Sequence, residues 1–218
     1  MRKFFFHNSL SIVFFLLFLV TCTGQFFTGY SHNNEERKEE GHPALSYQQY
    51  MHSGHFIQST FENWESEFLQ MALFVLFTIW LRQKGSSESK SCDGKEEVDR
   101  NPDPSRPGAP WPVKKGGLIL FIYKHSLTIA LLLLFLLSFF LHFYGSLRDE
   151  NEQLSLKGLL PETMSQYILR PRFWFESFQN WQSEFLSVFT LVVFSIFLRQ
   201  QGSPQSKPVD APDYETGE

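Results

Sequence analysis

The chain has 218 residues, 43% hydrophobic and 17% aromatic, with 25 phenylalanines and a formal net charge of −4. That balance offers no basic surface for nucleic acid. Its two cysteines, Cys22 in an apolar block and Cys92 among charges, build neither a disulfide framework nor a metal-ligand spacing.

Residues 9–27 form the first apolar block and carry no charge. At ~1.5 Å per residue they reach ~28 Å, about one bilayer core. Arg2 and Lys3 ahead of the block, with Leu19-Val20-Thr21-Cys22 inside it, resemble a signal peptide with a lipoprotein-type cleavage site. Thr21 suits such a site poorly, and a retained helix is expected. In the outer loop that follows, 31–60, His32, His42, His52 and His55 match no standard metal spacing and read as solvated. Residues 68–81 are a second apolar block, ending at Leu81-Arg82-Gln83 with Gly85 as a candidate helix cap. Residues 86–115, rich in Ser, Pro and charge, cannot bury a core and predict a flexible linker. The third block, 118–144, is broken only by Lys124 and His125. A second outer loop (146–172), a fourth block (185–198) and an acidic tail follow.

Sliding the chain by 117 residues superimposes its halves. FENWESEFL from Phe61 falls on FQNWQSEFL from Phe178, and LRQKGSSESK from Leu81 falls on LRQQGSPQSK from Leu198. Between Phe61 and Lys90, 17 of 30 positions are identical, more than shared apolar composition supplies. Phe139, the counterpart of Cys22, lies deep inside an evident helix, which again favours a retained first helix. The second and fourth blocks are short, so spanning requires extension back to Glu62 and Gln179. The expected fold is an all-α membrane protein with four transmembrane helices, arranged as two parallel-oriented two-helix repeats. Residues 1–90 form the first repeat and 116–207 the second. A flexible cytoplasmic linker, 91–115, joins them, and 208–218 is a disordered acidic tail.

Lys and Arg set the orientation. With the N-terminus in the cytoplasm, thirteen of them fall inside and six outside, which puts both termini in the cytoplasm of a plasma membrane. Trp64 and Trp181 at the outer turns, and Arg82 and Arg199 at the inner ends, are the expected interface anchors.

Several polar residues fall within the expected membrane depth. Asn63 and Glu67 are four apart on one helical face, as are Asn180 and Glu184. Counting from the inner ends places Gln25 and His142 at a similar depth. The six residues form a candidate polar layer, with the glutamates facing the bundle and not the lipid. Two readings stay open: interhelical hydrogen bonds that fix packing, or a proton or cation site. Glu62 and Glu65 are replaced by Gln179 and Gln182 in the second half, so the repeat does not demand their carboxylates.

No P-loop, dinucleotide-binding glycine pattern, HExxH or GxSxG is present, so no enzyme, cofactor or metal is expected. The functions that remain are a non-enzymatic structural or interaction role in the envelope, and a small transporter or channel component. The bilayer, a second copy or other membrane proteins are the expected partners. The paired NWxSEF segments, each followed by an apolar stretch and LRQxGSxxSK, resemble an uncharacterised family of bacterial multi-pass membrane proteins. The resemblance covers nearly the whole chain. It implies a bacterial inner-membrane location and no particular activity.

Overall fold

The computed structural model describes residues 2–217, and every regular element among them is helical. In chain order these are α1 (Arg2–His7), α2 (Ser9–Glu39), α3 (Tyr47–Met51), α4 (Gly54–Phe77), a short 3₁₀ turn (Glu97–Asp99), α5 (Trp111–Lys115), α6 (Gly117–Lys124), α7 (Ser126–Leu156), α8 (Met164–Tyr167) and α9 (Pro171–Phe197). The two long apolar helices are each broken near their start, at Asn8 and at His125. These residues stand 117 apart and have nearly the same backbone angles, φ −119°, ψ 14° and φ −112°, ψ 8°.

Among the described residues, α2 and α7 alone are long and apolar enough to cross a membrane, where four such helices were expected. Each has 31 residues, about 46 Å at the α-helical rise, and so continues well past one bilayer core. α4 and α9 fall short for a physical reason: Glu62, Glu65 and Glu67, and Arg172, Glu176 and Glu184, shorten their apolar stretches. α4 also stops at Phe77, before Leu81. The expected glycine caps of these helices are therefore displaced. Gly85 and Gly202, at φ +88° and +83°, instead sit third in four-residue turns closed by Ser86 N–H to Gln83 O and Ser203 N–H to Gln200 O, both 3.2 Å.

The chain divides into two compact units, each drawing on both sequence halves. The first is Met1–Phe61 with Leu141–Arg170; the second is Glu62–Phe140 with Pro171–Glu218.

In the first unit, α2 and α7 end in the same motif. Gly41 (φ +79°) and Gly158 (φ +69°) take the left-handed conformation, and the N–H of the next residue reaches back five positions. His42 donates to Arg37 O at 2.7 Å and Leu159 to Leu154 O at 2.9 Å. Each chain then folds back under an asparagine that pairs with one loop backbone residue. Asn34 exchanges bonds of 2.7 and 3.1 Å with Leu45, and Asn151 bonds of 2.6 and 3.0 Å with Glu162. Ser46 with Gln49, and Thr163 with Gln166, cap the short helices that follow. Tyr50 and Tyr167 on those helices are fully buried. A separate crossing joins the start of α4 to α7: a side chain on Gly145 would meet the Gln58 backbone N at 2.5 Å, and one on Gly54 would overlap the Asp149 backbone.

In the second unit the LRQxGSxxSK segments fold into matching loops. The backbone N–H of Gln83 donates to Ser89 Oγ, and that of Gln200 to Ser206 Oγ, both at 2.9 Å. The linker residues expected to be flexible include an ion pair, Lys90 to Asp99 at 2.6 Å. The tail expected to be disordered runs back along the first of these loops, with its carbonyls gathered around the buried Lys207.

Candidate functional site

The sequence places its unusual carboxylates on α4 and α9, and the second unit decides which of them are covered. The buried stripe of α4 passes through Glu65, Ser66 and Ala72, all at most 2% exposed. Asn63, Glu67 and Met71, four apart, form an exposed stripe on the same helix. The polar face read from Asn63 and Glu67 is thus a real helical stripe, but it lies outward and not toward the core. On α9, Asn180 and Glu184 are half-buried. Glu67 lies close enough to Glu184 for their charges to repel.

The covered carboxylate is Glu65, which sequence reasoning set aside because its counterpart is a glutamine. Its Oε1 accepts a hydrogen bond from the indole N–H of Trp181 at 2.8 Å. A buried carboxylate needs such donors, because an unsatisfied one costs several kcal/mol, of the order of the transfer penalty for polar groups. Trp181 in turn packs edge-on to Phe178 and Phe135, at centroid distances of 5.5 and 6.5 Å. Its expected role as an interface anchor thus becomes that of a donor held in an aromatic cluster. Nearby, Glu62 and Glu176 bring carboxylate oxygens within 4.8 Å of each other, and Arg172 pairs with Glu176 at 3.0 Å. The signal for this group was the i, i+3 spacing of Glu62 and Glu65 and the i, i+4 spacing of Arg172 and Glu176.

Gln25 and His142 belong to the first unit. Gln25 donates to Ser59 O at 3.1 Å and to Thr60 Oγ1 at 3.3 Å, tying α2 to the first part of α4. His142 is fully buried on α7. Arg82 and Arg199, expected to meet headgroups, bend back onto their own helix ends. Arg82 Nη1 reaches Ile79 O and Leu81 O at 3.2 and 3.0 Å; Arg199 Nη1 reaches Ile196 O and Leu198 O at 3.0 and 3.1 Å. Arg199 thus meets a carbonyl of the last turn of α9, while the carbonyls that Arg82 meets lie in the turn past the end of α4. Trp64 is half-buried.

The two LRQxGSxxSK loops are made by motifs that match across the halves, and a family model spans the whole sequence, residues 1–218. The chain belongs to the DUF6766 family, a domain of unknown function. No curated protein and no solved structure matches it. For this DUF6766 chain the arrangement itself shows what the site can do chemically: it concentrates carboxylates along α4 and α9 and satisfies the most deeply buried one with a neutral donor.

Proposed function

We propose that this DUF6766 protein is an integral protein of a bacterial plasma membrane with a non-enzymatic structural or interaction role. One observation carries the reading. No residue of the apolar stretch of α2 is fully buried, and only 17% of those in the stretch of α7 are. Apolar surface left in water costs ~25 cal/mol per Å², so two such helices call for lipid. The finer topology rests on sequence and exposure together. α4 and α9 complete four crossings, with Phe77, Phe185, Phe189, Phe194 and Phe197 exposed along their inner halves. Two repeats of like orientation, with thirteen Lys and Arg on one side and six on the other, place both termini in the cytoplasm. Reporter fusions after Lys90 and Lys207 should read cytoplasm, and fusions near residues 40 and 155 the outer side. Cleavage of the N-terminus, or lipid on Cys22, would remove the first crossing.

A second reading, a small transporter or channel component, is favoured by the facing Glu67 and Glu184 charges and the covered Glu65. Under it, Glu67→Gln with Glu184→Gln abolishes proton or cation flux in reconstituted vesicles while the protein stays assembled. Under the first reading the same variant assembles and behaves as wild type.

A further inference from the structure

The two LRQxGSxxSK loops of the second unit share a turn but not its surroundings. A side chain on Gly202 would meet nothing within 4 Å, whereas one on Gly85 would overlap the carbonyl oxygen of Asp213 in the C-terminal tail. The tail lies against the first loop as a turned peptide, its Pro212–Glu215 turn closed by the Glu215 N–H donating to Pro212 O at 3.1 Å. The Gly85 N–H donates to Thr216 Oγ1 at 2.7 Å, and the Gly217 N–H donates to Ser86 O at 3.1 Å. Arg199 Nη2 reads Ala211 O at 2.9 Å and Asp213 Oδ1 at 3.1 Å. The Lys207 ammonium, 3% exposed, donates to the carbonyls of Pro212, Asp213 and Glu215 at 3.2, 3.1 and 2.9 Å.

This pattern has the parts of a peptide-recognition site. Backbone donor and acceptor on one loop pair with backbone and hydroxyl of the segment. Two cations select acidic sequence and gather its carbonyls, and a glycine permits close approach. We propose that the Gln83–Lys90 loop, with Arg199 and Lys207, is a receptor for a turned acidic peptide, filled in cis by the chain's own Ala211–Gly217 segment as a displaceable strap. The strap supplies part of the wall of a cavity of about 1080 Å³ beside α4, where Thr216 and Gly217 face Phe74, Val75 and Thr78. The preferred occupant carries carboxylates and a small hydroxyl residue, as Asp213 and Thr216 do here.

The test uses the full chain in detergent and a fluorescent synthetic peptide of residues 208–218. The variant D213N/T216V weakens the strap and leaves the receptor intact. It should exchange its amides over residues 83–91 at least tenfold faster than wild type, and should bind the peptide at least tenfold more tightly, because the site has been vacated. Adding Gly85→Ala should abolish that binding; adding Gly202→Ala should not. Both glycines carry positive-φ strain, and the tight contact peculiar to Gly85 is 2.3 Å to Asp213 O of the peptide, against 3.0 Å to the Ile196 side chain, which can shift. Unchanged exchange in D213N/T216V, faster exchange without peptide binding, or equal affinity in all these proteins would each overturn the proposal.

Discussion

Tyr50 and Tyr167 stand 117 residues apart, each buried beneath a hairpin of the first unit, yet their hydroxyls meet different partners. Tyr167 shares a 2.5 Å hydrogen bond with Ser146, itself fully buried on α7. At the position equivalent to Ser146, α2 has Gly29, whose missing side chain leaves room for the Tyr50 ring and hydroxyl; that hydroxyl pairs with His55 Nδ1 at 3.2 Å. The backbone around the two tyrosines repeats nearly bond for bond, from the glycine turn through the asparagine clamp to the capping box. The difference teaches where this architecture tolerates change. Backbone groups in a tight return must be satisfied, so the residues that satisfy them persist. A buried hydroxyl needs only some partner, so its partner differs between the hairpins.

The largest way to break the comparison lies outside the shared hairpin. Gly54 and Gly145 let α4 and α7 approach backbone to backbone, and their counterparts are Pro171 and Thr28, so this crossing has no equivalent in the other half. Gly145→Val should destabilise the protein by about 3 kcal/mol, at the upper end of overpacking costs, in denaturant unfolding of the solubilised chain. Gly24→Ala, on the uncovered part of α2 with nothing within 4 Å, should be neutral or stabilise by up to ~1 kcal/mol through helix propensity. Equal effects would mean that the close approach does not hold the unit together.

A smaller and more symmetric effect is expected at the clamps. Asn34→Ala and Asn151→Ala each delete two hydrogen bonds and leave a loop N–H and carbonyl to find water. Each should cost about 2 kcal/mol, two bonds at ~1 kcal/mol apiece. Amide exchange should quicken at Leu45 in the first variant and at Glu162 in the second, each without effect on the other. If only one hairpin responds, the matching bonds do not carry matching energy.

Much of this was legible in the sequence. The apolar blocks mark the long helices, and the 117-residue offset pairs the two halves, while the breaks at Asn8 and His125 came only with the structure. The side-chain environment was less legible. Shared residues drew attention to Glu67, but burial on a helix follows its packed stripe, and the close fit at Ala72 belongs with Glu65. Helix length was overread at Leu81, because a run of apolar residues does not say where the backbone stops being helical. The tail's acidic composition gives no sign that it lies along the Gln83–Lys90 loop. It carries no mark of the carbonyls that Lys207 collects, since every residue has one.

The finest discrimination between the hairpins comes from alkaline pH. Burial pushes the Tyr50 phenol up to about 12 from its usual value near 10. The folded state therefore holds this proton more tightly than the unfolded chain does. Its contribution to stability is fully present below pH 10, and it declines as pH rises through 12, because between those values the unfolded state binds fewer protons. Tyr50→Phe removes both the proton and the bond to His55 Nδ1. At pH 8 the variant should lose ~0.5–1.5 kcal/mol, the net worth of one hydrogen bond. The gap to wild type should then close above pH 10 and reverse before pH 12, because a shift of two pH units is worth ~2–3 kcal/mol, more than the one bond the variant lacks. Unfolding curves of the two proteins at pH 8, 10, 11 and 12 decide the matter. A gap that stays constant would mean that Tyr50 ionises as readily folded as unfolded, and that the room made by Gly29 admits water as well as the ring.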